Sequence, residues 1–177
     1  MPNWCNNTLY LEHNDSEMIK KAKDAWESGN FLATLVPEPD YTKVKVKHTF
    51  PVNISTGEQK PEFVDPEQAW YDWRLQNWGT KWDIGYDSAL DNHAQGCEKT
   101  MFVYFDSAWS PPTDAYAKLA EMGFLVKGFY FEGGCAFCGS WIDGVEDFYN
   151  IEEYSYKWVR ENIPCLLYTS DAARRRG

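Results

Sequence analysis

The sequence has no apolar run approaching the roughly 18 residues that a membrane-spanning helix needs. Its first residues, Met1 to Asn6, have neither the basic start nor the apolar stretch of a secretory signal peptide. We therefore expect a cytoplasmic protein without a membrane anchor. In that compartment cysteines are usually reduced thiols or metal ligands rather than disulfides.

The motifs of the common enzyme classes are missing as well. The sequence contains no glycine-rich phosphate loop, no nucleophile elbow and no His-Glu-x-x-His helix. It has only three histidines, which fall in a predicted edge strand, an irregular segment and a predicted hairpin (His13, His48 and His93). We therefore expect no catalytic residues and no cofactor.

Basic residues are scarce relative to acidic ones. The chain has 17 Lys and Arg against 27 Asp and Glu, for a formal net charge of −10. A general nucleic-acid-binding surface needs Lys and Arg to displace the counterions of the phosphates, so we do not expect direct binding to nucleic acid. An acidic surface keeps a domain in solution, and it also attracts a basic protein partner.

Aromatic residues, by contrast, are abundant. They make up 17% of the chain and include nine tryptophans, whereas disordered chains are poor in such residues. The length of 177 residues fits one domain, which we place at residues 1–164. The segment from Cys165 to Ala173 resembles the translation of a transposase sequencing adapter, so we expect residues 165–177 not to be native.

Hydrophobic periodicity predicts the elements of this domain. Alternation predicts a strand at residues 7–13, and apolar spacings of three and four predict a helix that ends before Gly29. Residues 30–64 form an irregular, proline-containing segment, and Asp65-Pro66 begins a helix that ends near Trp78. The remaining predicted elements are strands at 82–90, 99–105 and 124–131, a helix at 113–122, a hairpin of 137–142 with 145–149, and a helix at 151–162.

The order of these elements predicts an α+β fold. Without an insertion at about residues 30–78 and without the C-terminal hairpin plus helix, the order is β-α-β-β-α-β. This is the split β-α-β arrangement of the ferredoxin-like fold, an antiparallel sheet with helices on one face. We take the first and third strands as parallel neighbours. The start of the strand at Trp82 then lies at the same end of the sheet as the exit of the strand at 99–105.

Four short blocks of the sequence resemble a known family. They are Met1–Cys5, Trp78–Asp83, Ser107–Pro112, and Glu132-Gly133 followed by Phe137, Gly139 and Trp141. In this order they resemble the YubB-like ferredoxin-like domain of phage and plasmid proteins, over essentially residues 1–160. The resemblance implies a ferredoxin-like fold and an origin in a mobile element. It brings no catalytic residues, and its pattern does not include the pair Cys135 and Cys138.

The predicted topology gathers aromatic and polar side chains at one end of the sheet. An aromatic surface with a few polar groups suits a binding pocket. The alternative is that the tryptophans are core anchors that hold the insertion helix to the sheet, and that Lys81 pairs with Asp83 on one strand face. The candidate binding residues are Trp78, Lys81, Trp82, Asp83, Trp109 and Ser110.

Four cysteines are predicted at the opposite end of the sheet, namely Cys5, Cys97, Cys135 and Cys138. A Cys-x-x-Cys pair is half of a usual zinc site, and Cys5, His93 or Cys97 would have to supply the other half at non-standard spacing. Cys135 and Cys138 fall in a predicted strand, where residues three apart point to opposite faces. We therefore expect these thiols to pack in the fold and to bind no metal.

The sequence as a whole predicts a non-catalytic binding module that acts through protein contacts. Its negative charge would allow it to sequester a basic or nucleic-acid-binding host protein. The alternative is a small enzyme or nucleotide-binding domain that uses Lys81, Asp83 and Trp109, and a third possibility is a purely structural module. The exposure of the tryptophan side chains distinguishes the structural module from the binding functions, because buried rings favour a structural role and an open, rimmed pocket favours binding.

Overall fold

The computed structural model describes residues 3–151 and residue 161. Apart from Ile151 and Glu161, the helix predicted at 151–162 lies outside the described residues, as does the tail from 165. In the described part of the chain, no helix combines the length and apolar character that crossing a bilayer requires. The elements are β1 (Trp4–Glu12), α1 (Ser16–Glu27), α2 (Phe31–Leu35), α3 (Ala69–Asn77), β2 (Thr100–Ala108), α4 (Thr113–Glu121), β3 (Leu125–Glu132), β4 (Phe137–Ile142) and β5 (Val145–Asn150).

The protein is α+β, and its strands form one antiparallel sheet in the order β2-β1-β3-β4-β5. The predicted parallel pairing was wrong, because β1 runs antiparallel to both of its neighbours. The register places Cys5, near the start of β1, opposite Ser107 on β2 and opposite Glu132 on β3. The strand order also differs from a simple split β-α-β, because one predicted strand does not form.

That missing strand is the segment 82–90, which is irregular in the structure. Its backbone bonds to helix ends instead of to β2. The N–H of Tyr86 donates to the carbonyl of Trp26 at 2.8 Å, and the N–H of Phe31 donates to the carbonyl of Ile84 at 3.1 Å. The alternating apolar residues therefore pack against the junction of α1 and α2. A period-two pattern of apolar residues is the same for such packing as for a paired strand, so it could not show which of the two forms.

Two glycines allow this close approach. A Cβ atom on Gly85 would lie 2.6 Å from the Cα of Gly29, so a side chain at residue 85 would push the segment away from the end of α1. Gly29 itself ends α1 with a φ of +74°, a conformation that favours glycine. Because residues 83–86 are held by the helices, β2 forms an edge of the sheet.

The core lies between one face of the sheet and the helices. Odd-numbered residues of β1 are buried, and two of them, Leu9 and Leu11, form one cluster with Ile19 and Trp26 of α1. The carboxylate of Asp15 accepts the backbone N–H of Glu17 at 3.0 Å and caps α1, the role for which the sequence Asn14-Asp15-Ser16-Glu17 is typical. This packing determines which face of β1 is covered by the helices.

The insertion at residues 30–78 contains α2, α3 and a small apolar cluster of its own, formed by Val46, Val64 and Ala69. α3 begins after a turn at 66–68, about one turn later than the predicted start at Asp65-Pro66. The predicted hairpin of β4 and β5 across Asp143-Gly144 is confirmed. Both turn residues have positive φ, 46° and 90°, as a two-residue hairpin requires.

Candidate functional site

Residues 78–82 and 107–110 lie side by side, although the strand that was predicted to bring them together is absent. Hydrogen bonds between loops join them. The hydroxyl of Thr80 donates to the carbonyl of Ala108 at 3.2 Å, and the hydroxyl of Ser110 donates to the carbonyl of Gly79 at 2.5 Å. Ser110 therefore connects the two segments, which is a structural role.

Trp78 belongs to the core. Its side chain is 0% exposed, and its Nε1 donates to the carbonyl of Val36 at 2.9 Å. The guanidinium of Arg74 lies 4.7 Å from the ring centroid. A partner cannot reach this indole in the folded protein, so Trp78 corresponds to the anchor alternative and not to a binding residue.

Three other tryptophans are exposed at this end of the sheet, and we call them the tryptophan surface: Trp4 (46% exposed), Trp82 (40%) and Trp109 (50%). The rings of Trp4 and Trp82 have centroids 5.8 Å apart and planes inclined by 43°. The backbone N–H of Trp109 donates to the carbonyl of Asn3 at 3.0 Å, which places Trp109 beside the start of β1. Sequence reasoning missed Trp4, because the predicted parallel pairing placed the start of the first strand, with Cys5, at the opposite end of the sheet.

Lys81 and Asp83 do not pair with each other. The ammonium of Lys81 lies 4.1 Å from the ring centroid of Trp82, a cation–π contact. The carboxylate of Asp83 accepts the backbone N–H groups of Leu32 at 2.6 Å, Ala33 at 3.0 Å and Ile84 at 2.8 Å. Asp83 thus ties its segment to the start of α2 and is not free to act as a base.

The pKa of Asp83 reflects the same environment. Burial raises the pKa of this carboxyl above its usual range, and the hydrogen bonds from backbone N–H groups oppose that rise. The enzyme alternative required Lys81 and Asp83 to act together beside Trp109. The structure does not favour it, because Lys81 lies over Trp82 and Asp83 accepts backbone N–H groups instead.

A groove of about 600 Å³ adjoins the tryptophan surface. Residues 105–108 of β2 form one side of it, residues 82–90 form the other, and Trp4 lies against it. Three acidic residues, Asp83, Asp87 and Asp106, line the groove, and none of the described residues that line it is basic. The groove therefore combines apolar aromatic surface with negative charge, and the Lys81 ammonium lies beside it over the ring of Trp82.

The backbone of Trp109 is unusual. Its φ is +72°, in the left-handed region that residues with a Cβ rarely adopt. Such strained residues cluster at functional sites, where the surrounding structure holds them. Here the N–H bond to Asn3 and the two prolines that follow at 111 and 112 hold the turn that presents this indole.

A pair of substitutions tests this account of Trp109. We expect Trp109→Gly to be more stable than Trp109→Ala by about 1 kcal/mol, because only glycine tolerates the left-handed conformation without strain. Neither variant should lose the roughly 3 kcal/mol typical of a buried ring. Urea denaturation of both variants measures the difference. Equal stabilities of the two variants would contradict the backbone strain at Trp109. A large loss of stability in both would contradict the exposure of its ring.

The prediction that the four thiols gather at the opposite end of the sheet was wrong. Cys5 lies opposite Ser107, at the same end as the tryptophan surface, because the sheet is antiparallel. Cys97 alone lies at the far end, with its sulfur 3.1 Å from the Thr100 hydroxyl oxygen. Cys135 lies in the turn at 133–136 and not in a strand.

The thiols do not converge. Cys5 faces the helix-covered side of the sheet, whereas Cys138 pairs with Phe131 on β3 and packs on the other face. Burial raises the pKa of the Cys5 thiol far above its usual range and that of Cys138 to about 11. Within residues 3–151 and 161, no three His, Cys, Asp or Glu side chains form a group that could hold a metal ion.

Comparison of this chain with family models, with curated proteins and with solved structures finds no match. The tryptophan surface and the groove beside it are the features of the molecule that indicate a function.

Proposed function

We propose that this chain is a non-catalytic binding module that acts through protein contacts at the tryptophan surface. The observation that carries the proposal is the exposure of Trp4, Trp82 and Trp109 together at one end of the sheet. Tryptophan is strongly enriched among the residues that dominate binding energy at interfaces. Its large apolar ring gains free energy when a partner removes it from water, while its N–H remains available for a directed hydrogen bond.

The charge of the site indicates a basic partner. Asp87 and Asp106 line the groove next to the tryptophans, and the whole chain carries a formal charge of −10. Opposite charge on the partner speeds association and excludes acidic competitors. A basic protein, including one that itself binds nucleic acid, is the class of partner that this surface fits. Sequestration of such a host protein would be the biological consequence.

The proposed origin rests on the sequence blocks described above. They support membership of the YubB-like family and an origin in a phage or plasmid. A ferredoxin-like relationship is supported by the position of β1 between β2 and β3, with α1 and α4 packed on one side of the sheet. In this view the second strand of the ferredoxin-like order has been replaced by the irregular segment 82–90.

A selection from random peptides tests the proposed function. The full chain is immobilised and used to select displayed peptides of about twelve residues, a length that spans a site of this kind. We expect the selected peptides to be enriched in Lys and Arg. Raising the salt concentration from about 0.05 to about 0.5 M should weaken their binding by about tenfold, because salt screens the charge attraction.

The matched controls use single neutral substitutions. Asp87→Asn should weaken binding of the selected peptide, whereas Glu121→Gln, an exposed acid on α4, should leave it unchanged. Selection of no peptide, or of peptides without basic residues that bind equally well at high salt, would overturn the proposed partner class.

A further inference from the structure

The outer edge of β2 carries main-chain groups that no described residue satisfies. Phe102 exchanges two backbone hydrogen bonds with Gln95 on this outer side, at 3.0 and 2.9 Å. Because the direction of backbone groups alternates along a strand, Tyr104, Asp106 and Ala108 also point outward. The side chains of Asn92 and Thr80 bond to the carbonyls of Tyr104 and Ala108.

Asp106 lies between these two satisfied carbonyls. Its backbone N–H and C=O point away from β1, and among the hydrogen bonds formed outside the strand ladders within residues 3–151 none involves them. Its side chain is engaged on the sheet face, where Asn6 donates to the carboxylate at 2.5 Å. An unpaired edge of this kind is a template for another strand, and proteins usually cover or charge such edges.

The groove runs along this edge. Four consecutive residues of β2, from Phe105 to Ala108, line it. Successive side chains of a strand point to opposite faces, so a groove that contacts all four follows the edge of the strand itself. On the other side, residues 83–86 are held away from β2 by their bonds to α1 and α2. The groove therefore occupies the place where a further strand would pair with residues 105–108, whereas beside Tyr104 the Asn92 side chain fills the gap and donates to the carbonyls of Gly85 and Tyr104.

We propose that an extended, basic segment of the partner protein pairs with this edge of β2 as an added strand. The proposal rests on the proposed function and specifies its binding mode. Main-chain hydrogen bonds to the N–H and C=O of Asp106 would supply affinity, as in other strand-addition complexes, because the carbonyls of Tyr104 and Ala108 on either side already have side-chain donors. Trp4 and Trp82 would cover the segment, and its Lys or Arg side chains would face Asp87 and Asp106.

Charge complementarity selects this occupant over a second copy of the chain. Two copies paired through this edge would bring the Asp87 and Asp106 carboxylates of both copies into one groove, and like charges placed directly opposite each other destabilise a strand pair. A basic segment neutralises the same groups. Dimerisation through the edge is therefore an outcome of the experiment that would contradict the proposal.

The experiment uses the full chain and a basic peptide from the selection. Amide hydrogen exchange, measured by NMR with and without peptide, should slow at Asp106 by at least about tenfold, because a main-chain hydrogen bond then protects that N–H. The N–H of Phe105 points toward β1 and should change little. N-methylation of the peptide, one residue at a time, should weaken binding by about tenfold at alternate positions only.

Two variants at one position separate the main chain from the side chain. Asp106→Pro removes the outward N–H, which an edge strand tolerates, and should weaken peptide binding by more than tenfold. Asp106→Asn keeps the N–H and should lose less affinity, together with part of the salt dependence. If the proline variant does not fold, the exchange and N-methylation results on the native chain decide the question.

Each outcome distinguishes the two proposals. Peptide binding that depends on the tryptophan surface, but shows neither protection at Asp106 nor alternation along the peptide, overturns strand addition and leaves the proposed function standing. Protection at Asp106 without dependence on Trp82 or Trp109 supports strand addition and overturns the role of the tryptophans. Peptide-independent protection that grows with protein concentration indicates a second copy. Selection of no peptide overturns both proposals.

Discussion

Replacing Trp78 with alanine is expected to lower the free energy of unfolding by about 3–5 kcal/mol, the range for removal of a large buried aromatic ring. The indole is completely buried and its Nε1 donates to the carbonyl of Val36, which would lose its partner as well. The same ring contacts Arg74 and Trp73, so the cavity would lie between α3 and the end of α2. Urea denaturation followed by circular dichroism measures the loss.

Trp70→Ala is the matched control for this variant. Trp70 lies on the same helix, α3, but its side chain is 38% exposed. We expect a loss of about 1 kcal/mol or less, because most surface substitutions have small effects. If the two variants were equally stable, Trp78 would not be the anchor that holds the insertion to the sheet.

Replacing two residues of the tryptophan surface should abolish binding without unfolding the protein. For Trp82→Ala combined with Trp109→Gly, we expect the affinity for the selected peptide to fall by at least about 100-fold, since each hot-spot residue contributes about 2 kcal/mol or more. The rings are 40% and 50% exposed, so stability should change far less than in Trp78→Ala. Fluorescence titration of a labelled peptide measures the affinity.

The control for this double variant is again Trp70→Ala, which removes a half-exposed indole outside the tryptophan surface. It should bind the peptide as the native chain does. If the double variant unfolds, these rings belong to the core. If it binds the peptide as tightly as the native chain, the tryptophan surface is not the binding site.

Local chemistry predicted several elements of the fold well. Asp15 caps α1, Gly29 ends it, and Asp143-Gly144 forms the hairpin turn, because each depends on a few neighbouring residues. The strand at 82–90 was predicted wrongly for the opposite reason. Its alternation is real, but the partner that it packs against is a helix junction more than fifty residues earlier in the chain, and periodicity carries no information about the partner.

The candidate site was predicted in part. The residues at 78–82 and 107–110 do adjoin, but through loop hydrogen bonds and not through paired strands. Sequence alone does not distinguish the buried Trp78 from the exposed Trp82 four residues later, because their local patterns are alike and burial depends on the fold. Trp4 lies in the opening sequence block, which was an available signal, but the predicted parallel pairing placed that block at the other end of the sheet.

The central claim is that a partner binds at the tryptophan surface, and the indole N–H signals of the protein in an ¹⁵N-correlation NMR spectrum test it most directly. On addition of the selected basic peptide, the indole signals of Trp4, Trp82 and Trp109 should shift. That of Trp78, which donates to the carbonyl of Val36 inside the core, should not. Shifts confined to Trp70, or no shift at saturating peptide, would contradict the claim.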